Sequence, residues 1–445
     1  MNEEANTGLD SWVNREFDRV SEIRTPGEFD ARIKDRMARL SELPERWQEL
    51  RAAVRKNVLG IKEEAIGIFL GEQAAGLNEP VLVLGKRLLA HAMRVQHGHT
   101  VVEYLADSDV VGSEPGLHSM TLPNPTVKGG KEHTPLVPVA RYNQTPTNLT
   151  PASELNLENL VQAMSKIYSL SNARVNELAG AYYSRLSQTA NLAALQNAVF
   201  RYFEQQLGLN PRKVVHDVDF DSAVAMNGGL ALVMEKWSDI QASARQHTMK
   251  GVRIPEEGEA PFYAYLKDLQ TRANIYIAND EGTQFRAMDP NNSSKQLGTF
   301  SADDILEGKV GITFRAIPRA ILLATIFDAH VSGGGSKYNK PVSHVYEEVF
   351  GIPFYPIAHM DIGSSNSNES TAVFQYDSAA NRKQNATYLQ DSKALVQSGF
   401  VSTVDMFASL TDVDLARKII ANTMTDPGFT MATRVDLSPA SKYGN

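Results

Sequence analysis

The stretch EAIGIFLGEQAAGLNEPVLVLGKRLLAHAMRVQHGHTVVEYLADSD, residues 64–109, constrains the fold more than any other part of the chain. A short apolar run meets a glycine-containing turn, a helix of about 12–15 residues follows, and a second β-rich run ends in acidic side chains. Strand, loop, helix, strand is the repeating unit of a parallel sheet, because parallel neighbours need a crossover too long for a hairpin. The expected class is therefore α/β. With 445 residues, 42% of them hydrophobic, the chain can bury a sizeable core.

Other segments fit around that unit. Residues 27–58 carry apolar positions at helical spacing with Pro44 as a break, giving a helical N-terminal lead over 1–60. Residues 112–152 are rich in Pro, Gly, Thr and Asn and read as an irregular excursion or lid. Residues 153–208 read as a helical insertion, a helix pair covering the sheet. RKVVHDVDF, 212–220, reads as a further strand ending in carboxylates, which singles out Asp217, Asp219 and Asp221, although acidic residues at such a loop are usually solvated. Residues 273–300 alternate around a DEGT turn like a β-hairpin, and Ser301 with Asp304 forms a capping-box pattern. A core over 61–362 and a C-terminal extension over 363–445 complete the organisation.

Composition removes several classes of function. The chain has no cysteine, which excludes disulfides, thiolate metal sites and a cysteine nucleophile. Lys and Arg number 44 against 52 Asp and Glu, a net charge of −8, without the basic stripe of a nucleic-acid binder. The ten histidines lack metal-site spacing, and no GxSxG elbow is present. The acidic start MNEEANTGLDSW is unlike a secretory signal, and apolar runs such as AILLATIF fall short of the roughly 20 residues of a membrane span. A cytoplasmic protein is expected, with a small-molecule substrate and room for a second copy of the chain as partner, and with no metal site.

Two glycine-bearing loops are the candidates for ligand contact. GEQAAGLNEP, 71–80, sits where a strand would meet its helix, where backbone amides face anions; Gln73 and Asn78 offer hydrogen bonds and Lys86 a charge. HVSGGGSKYNKP, 330–341, places Gly333, Gly334 and Gly335 in a row, able to turn amides toward an anion or simply to connect.

These segments, in this order, resemble the bacillithiol-biosynthesis cysteine-adding enzymes. IFLGEQAAGLNEPVLVLGKRLLAHAM is similar to that family's Gly-Gln-Gln-Ala-Gly-Leu loop, with Gly71, Gln73, Gly76 and Leu77 in matching positions. NIYIANDEGTQFRAMDP with GTFSADDILE resembles its hairpin and short helix. The stretch from FRAIPRAILL to GIPFYPI resembles its Arg-Pro segment, its Gly-Pro-Gly-Glu-x-x-Tyr loop, here Gly333, Gly335 and Tyr338, and its closing segment. The family's second strand ends in Glu-Asp-His-Asp, whereas LADSDVVG keeps Asp107 and Asp109; Ser336 or Lys337 stands where the family's loop has glutamate, and the family's C-terminal coiled coil has no counterpart.

The resemblance implies a Rossmann-like parallel sheet, of the nucleotidyl-transferase and class I synthetase kind, with inserted helical segments. It implies a ligase joining an amino acid to a small amine or amino-sugar conjugate, with ATP or another nucleotide as activator. Asp107, Asp109 and Lys337 would be catalytic; Gly71, Gln73, Gly76, Asn78, Lys86, Gly333, Gly334, Gly335 and Tyr338 would bind substrate or nucleotide. A non-catalytic small-molecule binder and a structural or assembly protein on the same fold are the alternatives.

Overall fold

The computed structural model describes residues 37–73, 94, 98–111, 119–124, 130–159, 161–162, 172–206, 213–246, 254–266, 269, 271–333, 345–351, 358–360 and 433–434. In chain order these give α1 (Glu45–Ala53), β1 (Gly67–Gln73), β2 (Thr100–Ala106), β3 (Ser119–Asn124) and β4 (Gly130–Pro135). There follow α2 (Asn172–Leu186), α3 (Leu192–Gln206), β5 (Lys213–His216), α4 (Asp217–Val224), α5 (Leu230–Gln246), β6 (Glu259–Leu266), β7 (Thr271–Ile277), β8 (Gln284–Asp289) and β9 (Asn292–Ser301). The series closes with α6 (Ala302–Leu306), β10 (Gly311–Phe314), α7 (Ala316–Ile326), β11 (Ala329–Gly333), β12 (Ala358–Met360) and β13 (Thr433–Arg434).

The protein is mixed α/β, with a parallel sheet and a separate antiparallel sheet. The first sheet runs β13-β12-β11-β1-β2-β5, parallel throughout except for the pairing of β12 with the edge strand β13. Chain order departs in one direction from β1 through β2 to β5, and in the other from β1 through β11 to β12. The sheet therefore has a topological switch between β1 and β11, where Leu70 lies opposite Val331. Central strands buried on both faces are apolar almost throughout, as Ile68 and Leu70 of β1 and Val101, Val102 and Leu105 of β2 show.

The second sheet, β10-β6-β7-β8-β9, is antiparallel, and the turn read as DEGT joins β7 to β8. It is larger than the single hairpin expected from residues 273–300, because β9 pairs back on β8, and β6 and β10 extend the other edge. The capping box is present: Asp304 N donates to Ser301 Oγ and Ser301 N to Asp304 Oδ2, opening α6. Phe262, Ile275 and Phe285 from this sheet join Val102, Tyr104, Phe220 and the apolar helix α7 in one core.

One expectation is corrected. The described residues of 112–152 are not wholly irregular: β3 and β4 form an antiparallel ribbon, and Leu136, Val137, Tyr142, Thr147 and Thr150 are buried. Pro123 is tolerated in β3 because a two-stranded ribbon has an outward edge for a residue without N–H. In the helical insertion, α2 and α3 hold each other through Tyr182, whose hydroxyl bonds Gln196 at 3.2 Å, and α3 reaches the sheet through Arg201 on the buried Glu103.

The N-terminal edge of the parallel sheet is closed by an ion cluster. Asp328, with no exposed surface, accepts from Arg51 at 2.5 Å, Arg55 at 3.0 Å and the Gly67 amide at 2.7 Å. Arg51 also bonds the carbonyls of Thr325 and Ile326, capping the C-terminal end of α7. The helical lead from Leu40 onward is thereby locked into the core, with Trp47 stacked edge-on to Phe350.

Candidate active site

The opposite edge, where parallel strands end, has different chemistry. β2 runs out into Asp107, Ser108 and Asp109, and β5 into His216 and Asp217; the register sets Leu105 against His216, so the two strand ends lie side by side. Asp217 opens α4, and one turn later Asp221 faces the same interior. Asp107, Asp217 and Asp221 are 5%, 0% and 2% exposed, Asp109 is partly exposed, and Asp219 points to solvent. Burial of Asp217 and Asp221 overturns the solvated-loop expectation; α4 turns both onto its inner face.

Each buried carboxyl has specific partners. Asp107 Oδ2 meets His216 Nδ1 at 2.6 Å, while Asp107 Oδ1 has no hydrogen-bond donor. Asp217 accepts from the Val218 amide at 2.8 Å, the Ser108 amide at 3.3 Å and the Ser108 hydroxyl. Asp221 accepts from the Phe314 amide at 2.8 Å, Arg319 Nε at 3.2 Å and the Tyr104 hydroxyl at 3.3 Å. Arg319 also lies 3.9 Å from Asp217 and 5.5 Å from the centre of the Tyr104 ring.

The antiparallel sheet covers this edge. The Tyr265 hydroxyl and Arg272 Nη1 both donate to the Ser108 carbonyl, at 3.1 and 3.3 Å. Tyr263 carries two guanidinium groups near its ring, Arg315 at 4.3 Å and Arg272 at 4.7 Å. Between this sheet and residues 140–145 lies a polar cleft of about 520 Å3, whose walls include Arg141, Gln144, Thr271 and Lys295. None of the four strand-end carboxyls lines the cleft, though Thr271 adjoins Arg272.

Burial sets the titration of the group. It holds Asp217 well above the usual carboxylate range, reinforced by Asp107. Asp221 is pushed up to about 6 by burial, against the pull of Arg319 and the Phe314 amide. Asp109 is raised by burial, opposed by Arg272 and Arg319. His216 is raised chiefly by its hydrogen bond to Asp107. Asp221, at about 6, thus changes protonation near neutrality, a condition suited to proton transfer.

The expected site residues divide as follows. Asp107 and Asp109 stand together at the end of β2. Gly71 and Gln73 end β1 and Gly333 ends β11, on adjacent strands at the same sheet edge. With strands about 4.8 Å apart, Gly333 and Asp107 are separated by about 10 Å along that edge, within the span of one small ligand. A β-carbon at Gly71 would sit 3.0 Å from the Phe69 ring, so packing against Phe69 is tight there without any ligand. Gly76, Asn78, Lys86, Gly334, Gly335, Lys337 and Tyr338 lie outside the described residues.

Arg319, Arg272, His216, Tyr104 and Tyr265 were missed. Arg319 had a signal: it is the lone charge in AIPRAILLATI, and a charge in a wholly apolar helix must be paired. Among the described residues no group of three or more His, Asp or Glu side chains could hold a metal ion, and no helix is long and apolar enough to cross a membrane. No protein-family model matches the chain, nor does any curated protein.

Proposed function

We propose that the protein is a carbon–nitrogen ligase on a Rossmann-like sheet, joining an amino acid to a small amine or amino-sugar conjugate in the cytoplasm. The observation that carries this reading is the assembly of Asp107, Asp109, Asp217 and His216 at the carboxyl ends of β2 and β5, beside the β1/β11 switch. Sequence comparison with the cysteine-adding family had suggested a depleted acidic cluster. Asp217 and Asp221, contributed by the next strand and its helix, are further buried carboxyls that support the reading.

Chemistry divides along the edge. Phosphates of ATP or another nucleotide, being anionic, are repelled by the carboxyls at β2 and β5 and belong over β1 and β11, at the glycine-bearing loops. The amine belongs at Asp109, a half-buried residue whose carboxyl burial raises against the pull of Arg272 and Arg319. As the amine nitrogen attacks the activated acyl carbon it loses a proton to Asp109, and the activating group leaves as an anion. Arg272, held by Ser108 and stacked near Tyr263, offers charge for the oxygen that becomes negative.

Thermal-shift measurement with nucleotides, amino acids and amino sugars tests binding, since a ligand at about 100 times its Kd adds roughly 2.7 kcal/mol. Mass spectrometry of mixtures of nucleotide, amino acid and amine then tests for a conjugated product. The ligase reading predicts a shift with a nucleotide and a product whose mass is the sum of amino acid and amine less water. A nucleotide shift without product would leave a binding protein, and no shift with any compound would remove both.

A further inference from the structure

The polar cleft between the antiparallel sheet and residues 140–145 has no part in the chemistry described so far. Its volume of about 520 Å3 falls within the roughly 300–1,000 Å3 of small-molecule sites. Such sites are as a rule mostly apolar, with a few polar groups for orientation, whereas this one is walled mainly by polar side chains. Its charges are already matched. Lys295 Nζ lies 3.0 Å from Asp289 Oδ2, the other oxygen of Asp289 accepts from the Asn291 amide at 2.9 Å, and Arg141 pairs with Glu154 at 3.4 Å. What the walls hold in reserve is neutral. Among the described residues, the side chains of Asn143, Gln144, Thr145 and Thr271 make no hydrogen bond; they offer carboxamides and hydroxyls, groups that both donate and accept. Leu269, 53% exposed, adds an apolar surface to the same lining.

The walls are fixed by the fold itself. Residues 140–145 are anchored by the buried Tyr142, by the Thr145 amide on the Tyr142 carbonyl at 2.9 Å and by the Val111 amide on the Thr145 carbonyl at 2.9 Å. The facing wall belongs to β7, β8 and β9, held in register by their pairing. A preformed cleft with neutral donors and acceptors, one apolar face and no unmatched charge fits a ligand that is uncharged, polar around its rim and apolar on one side. A sugar ring has that surface, with hydroxyls at its edge and C–H groups on its face. We propose that the cleft is a binding site for an uncharged sugar, in which Asn143, Gln144, Thr145 and Thr271 bond the hydroxyls and Leu269 lies against the ring. An anion is poorly served, since it would have to displace Asp289 from Lys295 or Glu154 from Arg141. The inference is independent of the ligase reading: none of the four strand-end carboxyls lines the cleft, and binding there needs neither a nucleotide nor a product.

Saturation-transfer NMR on the whole chain without nucleotide tests it, with maltose, cellobiose, lactose and trehalose as probes and succinate and glycerol 2-phosphate as charged competitors. Transfer to at least one of the sugars is expected, with a Kd on the order of 1 mM for so open a site. That Kd should not change between about 0.05 and 0.5 M salt, because no charged contact is there to be screened. Gln144→Ala and Thr271→Val each remove one hydrogen-bonding group from a side chain that supports nothing else, and each should weaken binding by about three- to tenfold. Should one variant misfold, the other still decides. Absence of transfer to all of the sugars overturns the proposal, as does transfer to succinate or glycerol 2-phosphate in preference to them. Sugar binding that the folded variants leave at wild-type strength overturns the assignment to this cleft, and none of these results bears on whether a conjugate is formed.

Discussion

The two ends of the parallel sheet carry buried charge in opposite proportion. At the N-terminal edge one carboxylate, Asp328, faces two guanidinium groups and a backbone amide, and no oxygen lacks a donor. At the C-terminal edge four carboxyls, Asp107, Asp109, Asp217 and Asp221, face Arg319 and Arg272 with His216, and one oxygen is left without a donor. A buried charge that is fully paired contributes order and no chemistry, whereas an excess of one sign forces protons onto groups that would otherwise be ionised. The first edge is a clamp, and the second holds carboxyls whose charged form burial disfavours.

Variants that invert this contrast provide its tests. The largest loss of stability is expected from Arg55→Leu. Arg55 holds Asp328 and the carbonyls of Ala65 and Ile326 with 4% of its surface exposed, and breaking such a buried pair costs about 3–5 kcal/mol. Urea denaturation would show the midpoint falling, while a midpoint unchanged from wild type would remove the clamp. At the other edge, Asp109→Asn should leave stability within about 1 kcal/mol and lower the rate of product formation by about 10²–10⁴-fold, because it removes a base and not a support.

The difference in legibility between the edges follows the same physics. Strands β1, β2 and β5 could be read as apolar runs with turn residues after them, and the carboxyl-end rule pointed to Asp217, Asp219 and Asp221. The burial of Asp217 and Asp221 could not be read, since a lone acidic residue is most often solvated, and only the inner face of α4 with Arg319 reverses this. Arg319 stands far along the chain in a helix otherwise apolar, and nothing local ties it to Asp221. The clamp was hidden for a similar reason: Arg51 and Arg55 look like ordinary helix-surface cations, and their partner Asp328 is more than 270 positions away, with |i−j| of 277 and 273. The β7–β8 hairpin was legible because its turn is local, whereas β6 and β10 depend on pairings that no short window contains.

Stability should respond to pH through the acidic edge. The Asp221 carboxyl lies near 6 in the folded chain against 3.8 when free, so the folded state binds the proton more tightly. Stability is therefore highest below about pH 4 as far as this group is concerned and falls as the pH rises to about 6, by up to about 3 kcal/mol. Asp221→Asn should flatten that slope, leaving the part due to Asp217 and His216; an unaltered profile of urea midpoint against pH would contradict it. The smallest effect is expected from Arg46→Ala. Its pair with Glu235, both side chains more than half exposed, should contribute at most about 0.5 kcal/mol, so that burial and not pairing alone distinguishes the clamp.

The most direct test sets Asp328→Asn beside Asp217→Asn in equilibrium urea unfolding at neutral pH. Neutralising Asp328 strands two guanidinium groups and should lower stability by about 3–5 kcal/mol. Asparagine at 217 replaces a carboxyl whose charged form burial disfavours and should leave stability at or above that of the wild type. Equal losses in the two variants would contradict the account, because Asp217 would then be as much an ionised structural partner as Asp328.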